Sequence, residues 1–224
     1  RFSDVLQRTL LVGASDPNRT VRLAVVEGLG GRFDAQLASS QRSLHTARAA
    51  ASDPDPEVRI AAAALFGRMC NVAPVAGLPL LRDALMQLLA EVAHARSPQG
   101  REVAAQSLDK VLISAGPALR PYAPAILTSL APRLDDPSTR VSAAVLGALG
   151  SLVLAGGEPV REYTAALLPR AVAGLHDKSS LPRRRAALGT LVALIRATAD
   201  PAAPYRRYPT LLPMLLDLLQ TERS

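Results

Sequence analysis

An acidic break returns along this chain at nearly even intervals. Asp16-Pro17, Asp53-Pro54 and Asp136-Pro137 are joined by Asp177, followed by Lys178-Ser179-Ser180, and by Arg96-Ser97-Pro98 between the second and third. The intervals run 37, about 43, about 40 and 41 residues, close to the ~40–47 of repeats built from a pair of helices. Each break ends one helix and starts another. Asp is expected to accept hydrogen bonds from free N–H groups of the first turn, and Pro tolerates the first helical position because it has no N–H to leave unpaired.

After each break the same pattern follows. Val21-Arg22-x-Ala24-Val25 leads to Leu29, Val58-Arg59-x-Ala61-Ala62 to Phe66, Val141-Ser142-x-Ala144-Val145 to Leu149, and Arg183-Arg184-x-Ala186-Ala187 to Leu191. A worn copy surrounds Ala104-Ala105-Gln106-Ser107-Leu108. Apolar positions at i, i+3, i+4, i+7 and i+8 make one face of a helix, and the small Ala positions let helices approach closely. These are second helices. First helices are expected near Phe2–Ala14, Asp34–Ala51, Leu78–Ala95, Pro121–Leu134 and Pro159–Leu175, with Tyr208–Thr221 unpaired. The chain therefore reads as an all-α, HEAT-type (armadillo-like) α-solenoid. Its pairs span roughly 2–31, 34–70, 78–115, 121–155 and 159–198, with an extra helix at 208–221. Leu211, Leu212, Leu215, Leu216, Leu218 and Leu219 need a neighbouring helix to cover them, which reads as a window of a longer array.

Composition agrees. Ala and Leu dominate, whereas there are three Phe, four Tyr and no Trp; no β-branched run alternates over strand length. The net charge is +7, which raises nucleic acid as a partner. Yet only Lys110 and Lys178 are lysines among the 26 basic residues. The arginines are spread along the chain, as a GC-rich coding sequence would spread them. The one dense run, Arg183-Arg184-Arg185, has no interleaved aromatic to stack on bases, so a solvated helix face is the better account. Retention on DNA or RNA at physiological salt would overturn it. Cys70 is alone and flanked by apolar residues, which points to a buried thiol in a reducing compartment. The charged start, Arg1 to Leu10, is unlike a signal peptide, and Val141 to Gly157 is too short to span a bilayer.

Three acidic breaks carry Arg six residues on: Asp16 and Arg22, Asp53 and Arg59, Asp177 and Arg183. Stacked repeats can align such pairs into a ladder of charge-assisted hydrogen bonds. No catalytic, cofactor-binding or metal-binding set is expected. His45, His94 and His176 lack partners at metal-ligand spacing, Gly28-Leu29-Gly30-Gly31 ends a helix, and Asp53/Asp55 and Asp135/Asp136 fit helix starts. Neither a nucleophile elbow nor a kinase signature occurs.

Pro204-Tyr205-Arg206-Arg207-Tyr208-Pro209-Thr210-Leu211-Leu212, with Thr221-Glu222 closing the next helix, resembles the target of rapamycin (TOR) kinases of the phosphatidylinositol-3-kinase-related family. Arg120-Pro121-Tyr122 with Ile126-Leu127, Asp177 with Ser179-Ser180-Leu181, and Ala187-Leu188-x-Thr190-Leu191 fit as well. Arg32-Phe33-Asp34-Ala35-x-Leu37-Ala38, Glu57-Val58-Arg59, Gly67-Arg68 and Leu81-Arg82 carry the likeness toward the start; Ser43 to Ala51 departs from it.

The resemblance implies part of the N-terminal HEAT array of a large, cytoplasmic Ser/Thr kinase, peripheral on endomembranes. It implies accessory scaffold subunits and a dimeric assembly as partners, without a transmembrane segment. ATP and Mg belong to a catalytic domain outside this window. This segment would be a scaffold of a growth- and nutrient-signalling complex; the alternative is a HEAT adaptor, for transport or phosphatase assembly, with no kinase attached. Arginine and tyrosine are enriched at binding hot spots. The expected partner-contacting residues are the loop Arg183, Arg184 and Arg185, and the segment Tyr205, Arg206, Arg207 and Tyr208.

Overall fold

A computed structural model describes residues 2–31, 40–157, 160 and 162–221. Five helix pairs follow one another: α1 (Phe2–Ala14) and α2 (Arg19–Gly31), α3 (Gln41–Ala51) and α4 (Pro56–Val72), α5 (Pro74–His94) and α6 (Pro98–Ala115), α7 (Ala123–Leu130) and α8 (Thr139–Ala155), α9 (Thr164–His176) and α10 (Leu181–Ala197). A short α11 (Ala203–Arg207) and α12 (Leu211–Thr221) complete the described chain. No strand occurs among the described residues. The second helices α2, α4, α6, α8 and α10 pack on one another in succession, and each first helix lies against its own partner. The core is correspondingly linear. Val26, Leu29, Ala47, Leu65, Phe66 and Met69 fill one end; Leu85, Leu108, Leu112, Leu149, Leu152, Leu167 and Leu191 continue it. Helix α4 serves both stretches, since Ala63 and Cys70 face the second. The chain is an all-α HEAT-type solenoid.

Several boundaries differ from expectation, and proline accounts for most of them. The first helix of the fourth pair is a 3-10 turn (Gly116–Tyr122), α7, and a second 3-10 turn (Ala131–Asp135). Pro121 and Pro132 each lack the N–H that an unbroken α-helix would use. Likewise Pro209 disfavours the α conformation at Tyr208, which sits at φ −130°, ψ 84°, so the last helix, expected from Tyr208, begins only at Leu211 as α12, and the short α11 before it was not expected. Helix α5 starts a turn earlier than expected, with Pro74 in its first turn. The expected starts at Asp34 and Pro159 lie outside the described residues.

The acidic breaks work one step away from the predicted role. Asp16, Asp53, Asp136 and Asp177 accept from the N–H two residues on, at 2.7, 2.8, 2.9 and 3.0 Å, and so fix the turn. The helix N-caps are polar residues two or three positions further on. Asp55 accepts from Glu57 N–H, Ser97 from Gly100 N–H and Ser180 from Arg183 N–H, at 2.9, 3.0 and 3.3 Å.

The ladder exists, but its rungs cross between repeats. Arg22 donates through Nη1 to the carbonyls of Asp16 and Pro17, and through Nε and Nη2 to both carboxylate oxygens of Asp53 in the next repeat, at 2.7 and 2.9 Å. Arg101 repeats this geometry with the Ala95 and Arg96 carbonyls and with Asp136, at 2.8 and 3.1 Å. These hydrogen bonds from Arg22 and Arg101 hold the Asp53 and Asp136 carboxyls below the ordinary carboxylate range. Arg59 grips the Asp53 and Pro54 carbonyls in the same way, at 2.6 and 2.8 Å, but position 95 is alanine, so this rung has no carboxylate. Ser142 replaces the arginine of the fourth repeat, and Asp177 is left to Arg183 of its own repeat, at 3.5 Å.

Where rungs are missing, backbones come close. A Cβ built at Gly67 would lie 2.7 Å from the Ala115 nitrogen, and one at Gly150 would lie 2.9 Å from the Thr190 Cα. Across those same interfaces the Asn71 amide donates to the Ser114 carbonyl at 2.7 Å, and the Thr190 hydroxyl to the Leu146 carbonyl at 2.9 Å. Ion-paired and glycine-clamped joints therefore alternate along the stack.

Candidate functional site

The run Arg183-Arg184-Arg185 is not a loop. It lies in the first turns of α10, behind the Ser180 cap, and helical rotation sends the three side chains apart. Arg183 turns back to Asp177. Arg184 donates to the Lys178 carbonyl at 3.1 Å. With Arg185 it rims an apolar cleft of about 280 Å³, whose walls are Leu175 of α9, Leu181 and Leu188 of α10, and Leu215 and Leu218 of α12. Leu181 and Leu188 are 41% and 43% exposed, and Leu212 and Leu216 on the adjoining α12 face are both 53% exposed. By contrast Leu211 is fully buried.

The second predicted segment divides differently. Tyr205 and Tyr208 are partly buried and pack against the main apolar core. The Arg206 guanidinium pairs with Asp200, and Arg207 is exposed. Thus Arg184 and Arg185 come together at a concave apolar site, whereas Tyr205, Arg206, Arg207 and Tyr208 are not part of it. Sequence reasoning missed Leu181 and Leu188, the two exposed leucines of the cleft. Their signal was present: both stand on the helix face that carries Arg184 and Arg185, outside the Ala187–Leu191 stripe that meets the core. It also missed Arg101 and Asp136 as a rung, because the break at Arg96-Ser97-Pro98 has no acidic residue.

The cleft offers apolar area and two arginines, and no group suited to proton transfer or nucleophilic attack. Cys70 is buried, and burial pushes its thiol up to about 11, so it is protonated at neutral pH. Among the described residues no group of three or more His, Cys, Asp or Glu side chains is placed to hold a metal ion, and no helix is long and apolar enough to cross a membrane.

Comparison with known proteins follows the same lines. Residues 8–109 match the family of HEAT repeats. The chain is 31% identical over 222 residues to the serine/threonine-protein kinase TOR2 of Saccharomyces cerevisiae, covering 99% of this chain and 9% of that protein. It is 31% identical over 225 residues to the serine/threonine-protein kinase mTor of Drosophila melanogaster, covering 99% and 9%. To the serine/threonine-protein kinase TOR of Arabidopsis thaliana it is 30% identical over 224 residues, covering 97% and 9%. The chain thus spans about a tenth of the length of the relatives it matches.

Proposed function

We propose that this HEAT-repeat chain, similar over nearly its whole length to TOR kinases of yeast, fly and plant, is a scaffold segment of a TOR-like Ser/Thr kinase. In that reading it performs no chemistry. It holds accessory subunits of a cytoplasmic signalling complex and contributes to a dimeric assembly, while ATP and Mg are bound by a catalytic domain elsewhere in the parent. One observation carries this reading. The helix pairs are stacked in line with their apolar stripes buried against successive neighbours, so the fold offers extended surface in place of a closed reaction centre. The cleft rimmed by Arg184 and Arg185 is the contact point within it, because an exposed apolar patch with a polar rim marks interaction surfaces and arginine is enriched at binding hot spots.

Two measurements test the proposal. The coding sequence downstream of Ser224 should encode a kinase domain with its catalytic Asp and Asn; a reading frame without one leaves a HEAT adaptor and rejects the TOR assignment. In the parent protein, Arg184→Glu with Arg185→Glu should weaken recovery of accessory subunits by affinity purification, whereas Arg206→Glu should not. Equal recovery from both variants removes the cleft from the proposal.

A further inference from the structure

The second helices carry a groove that the cleft does not account for. Two adjoining depressions, of about 400 and about 500 Å³, share Glu57 and Ile60 and cross α2, α4, α6 and α8. Ile60 and Ala64 form part of an apolar floor. Arg68 and Lys110 stand toward one edge, where Glu27 also lines the depression, and Glu57 and Glu102 toward the other. Glu57 and Arg68 are three turns apart on α4, roughly 16 Å at the rise of an α-helix, which is wide enough for one helix of about 10–12 Å diameter. Adjacent helices stack about 8–10 Å apart, so Arg68 and Lys110, on neighbouring second helices, repeat at nearly the two-turn spacing of a helix laid along the stack, about 10.5 Å.

The edges differ in how far their charge is already met. Glu57 pairs with Arg19 at 3.3 Å, and Glu102 accepts from Gln106 at 3.2 Å. Arg140 adds a cation at the acidic end of the groove. Among the described residues neither the Arg68 guanidinium nor the Lys110 ammonium has a hydrogen-bond or ion-pair partner. The Arg68 Nε is shielded from water without an acceptor, and burial lowers the pKa of Arg68, with Glu27 opposing this through space. A half-buried guanidinium with no carboxylate in hydrogen-bond reach is costly, since Glu27 acts on it only through space, and a carboxylate brought to its open edge offsets that cost.

We propose that this groove docks an amphipathic helix of a partner protein, laid along the stack, whose acidic residues two turns apart meet Arg68 and Lys110. Small apolar side chains of that helix cover Ile60 and Ala64. The inference rests on the scaffold reading, but concerns a surface distinct from the Arg184–Arg185 cleft.

The probe is a synthetic 18-residue Ala/Leu helix, fluorescently labelled, with Glu residues two turns apart along one edge; a control peptide carries Lys at those positions. Binding to the full chain is followed by fluorescence anisotropy, with sedimentation velocity on the free chain. The Glu probe should bind and the Lys control should not. Arg68→Glu with Lys110→Glu should weaken binding by about tenfold or more, while Arg184→Glu with Arg185→Glu leaves it unchanged. Should the double variant misfold by circular dichroism, Lys110→Glu alone, at an exposed position, is expected to weaken binding, and Lys110→Arg to retain it. No binding, equal binding of both peptides, or indifference to the Lys110 changes overturns the proposal, as does self-association of the chain that Lys110→Glu abolishes. None of those results bears on whether the parent kinase assembles through its cleft.

Discussion

Gly150 and Gly189 sit on the two sides of one helix crossing and should respond oppositely to the same substitution. Both lie inside helices, α8 and α10. Replacing a helix-interior glycine by alanine restricts the unfolded chain and improves helix propensity, a gain of about 0.8–1.0 kcal/mol. At Gly189 a new Cβ meets nothing within 4 Å, so Gly189→Ala should collect that gain in full. At Gly150 the new Cβ falls 2.9 Å from both the Cα and the hydroxyl oxygen of buried Thr190. One of those atoms is backbone, so the helices must part. Overpacking of this kind costs about 1–3 kcal/mol. The propensity gain is common to both variants and cancels in their difference, leaving Gly150→Ala about 1–3 kcal/mol less stable than Gly189→Ala. At about 2–4 °C per kcal/mol for a chain of this size, the two melting temperatures should differ by roughly 2–12 °C. Urea unfolding monitored by far-UV circular dichroism gives the free energies, and hydrogen exchange should show the loss concentrated in α8 and α10, because solenoid repeats couple to nearest neighbours. Equal stabilisation by both substitutions would refute the close crossing.

The ladder makes further tests. Arg101→Ala should lower the melting temperature more than Arg59→Ala, which loses only carbonyl contacts, and both should exceed Arg48→Ala, whose pair with Asp83 at 3.3 Å is about two-thirds exposed on each side. Ala95→Asp should supply the missing acceptor for Arg59 and raise the melting temperature; no change or a fall would mean that the vacant rung is not in register. Asp53 and Asp136 have depressed folded pKa values, so their contribution is fully present above the unfolded Asp pKa of about 3.9 and is lost as pH falls through the folded values. Asp136→Asn should therefore flatten the acid limb of a stability-against-pH curve, and an unaltered limb would count against the rung. Cys70, with its thiol pushed up to about 11, should react with a thiol reagent at pH 8 only when urea unfolds the chain.

The sequence was most legible where one physical constraint repeats. Helix periodicity and the acidic breaks located the second helices, because each must bury an i, i+3, i+4, i+7 stripe against its neighbours. First helices were less sharply bounded. Pro121, Pro132 and Pro209 each replace an N–H that an α-helix would use, yet Pro79 and Pro169 sit inside helices, so proline alone does not decide where a helix breaks. The Asp–Arg spacing revealed a ladder and the pair of Arg183 with Asp177, but it misassigned the carboxylate partner of Arg22. Within one repeat the arginine reaches the backbone of its own turn, leaving Nε and Nη2 pointing at the next repeat. The partner is therefore set by stacking, which local spacing does not contain. The same limit applies to the candidate sites. Arg183, Arg184 and Arg185 are one run in sequence and three environments on a helix, and the cleft beside them needs Leu215 and Leu218 from α12. Arg68 and Lys110 are 42 residues apart in the chain and line one depression only because α4 and α6 stack. In a solenoid the repeat is local and readable, whereas a binding surface is made of equivalent positions in successive repeats, so it becomes visible only once their register is known.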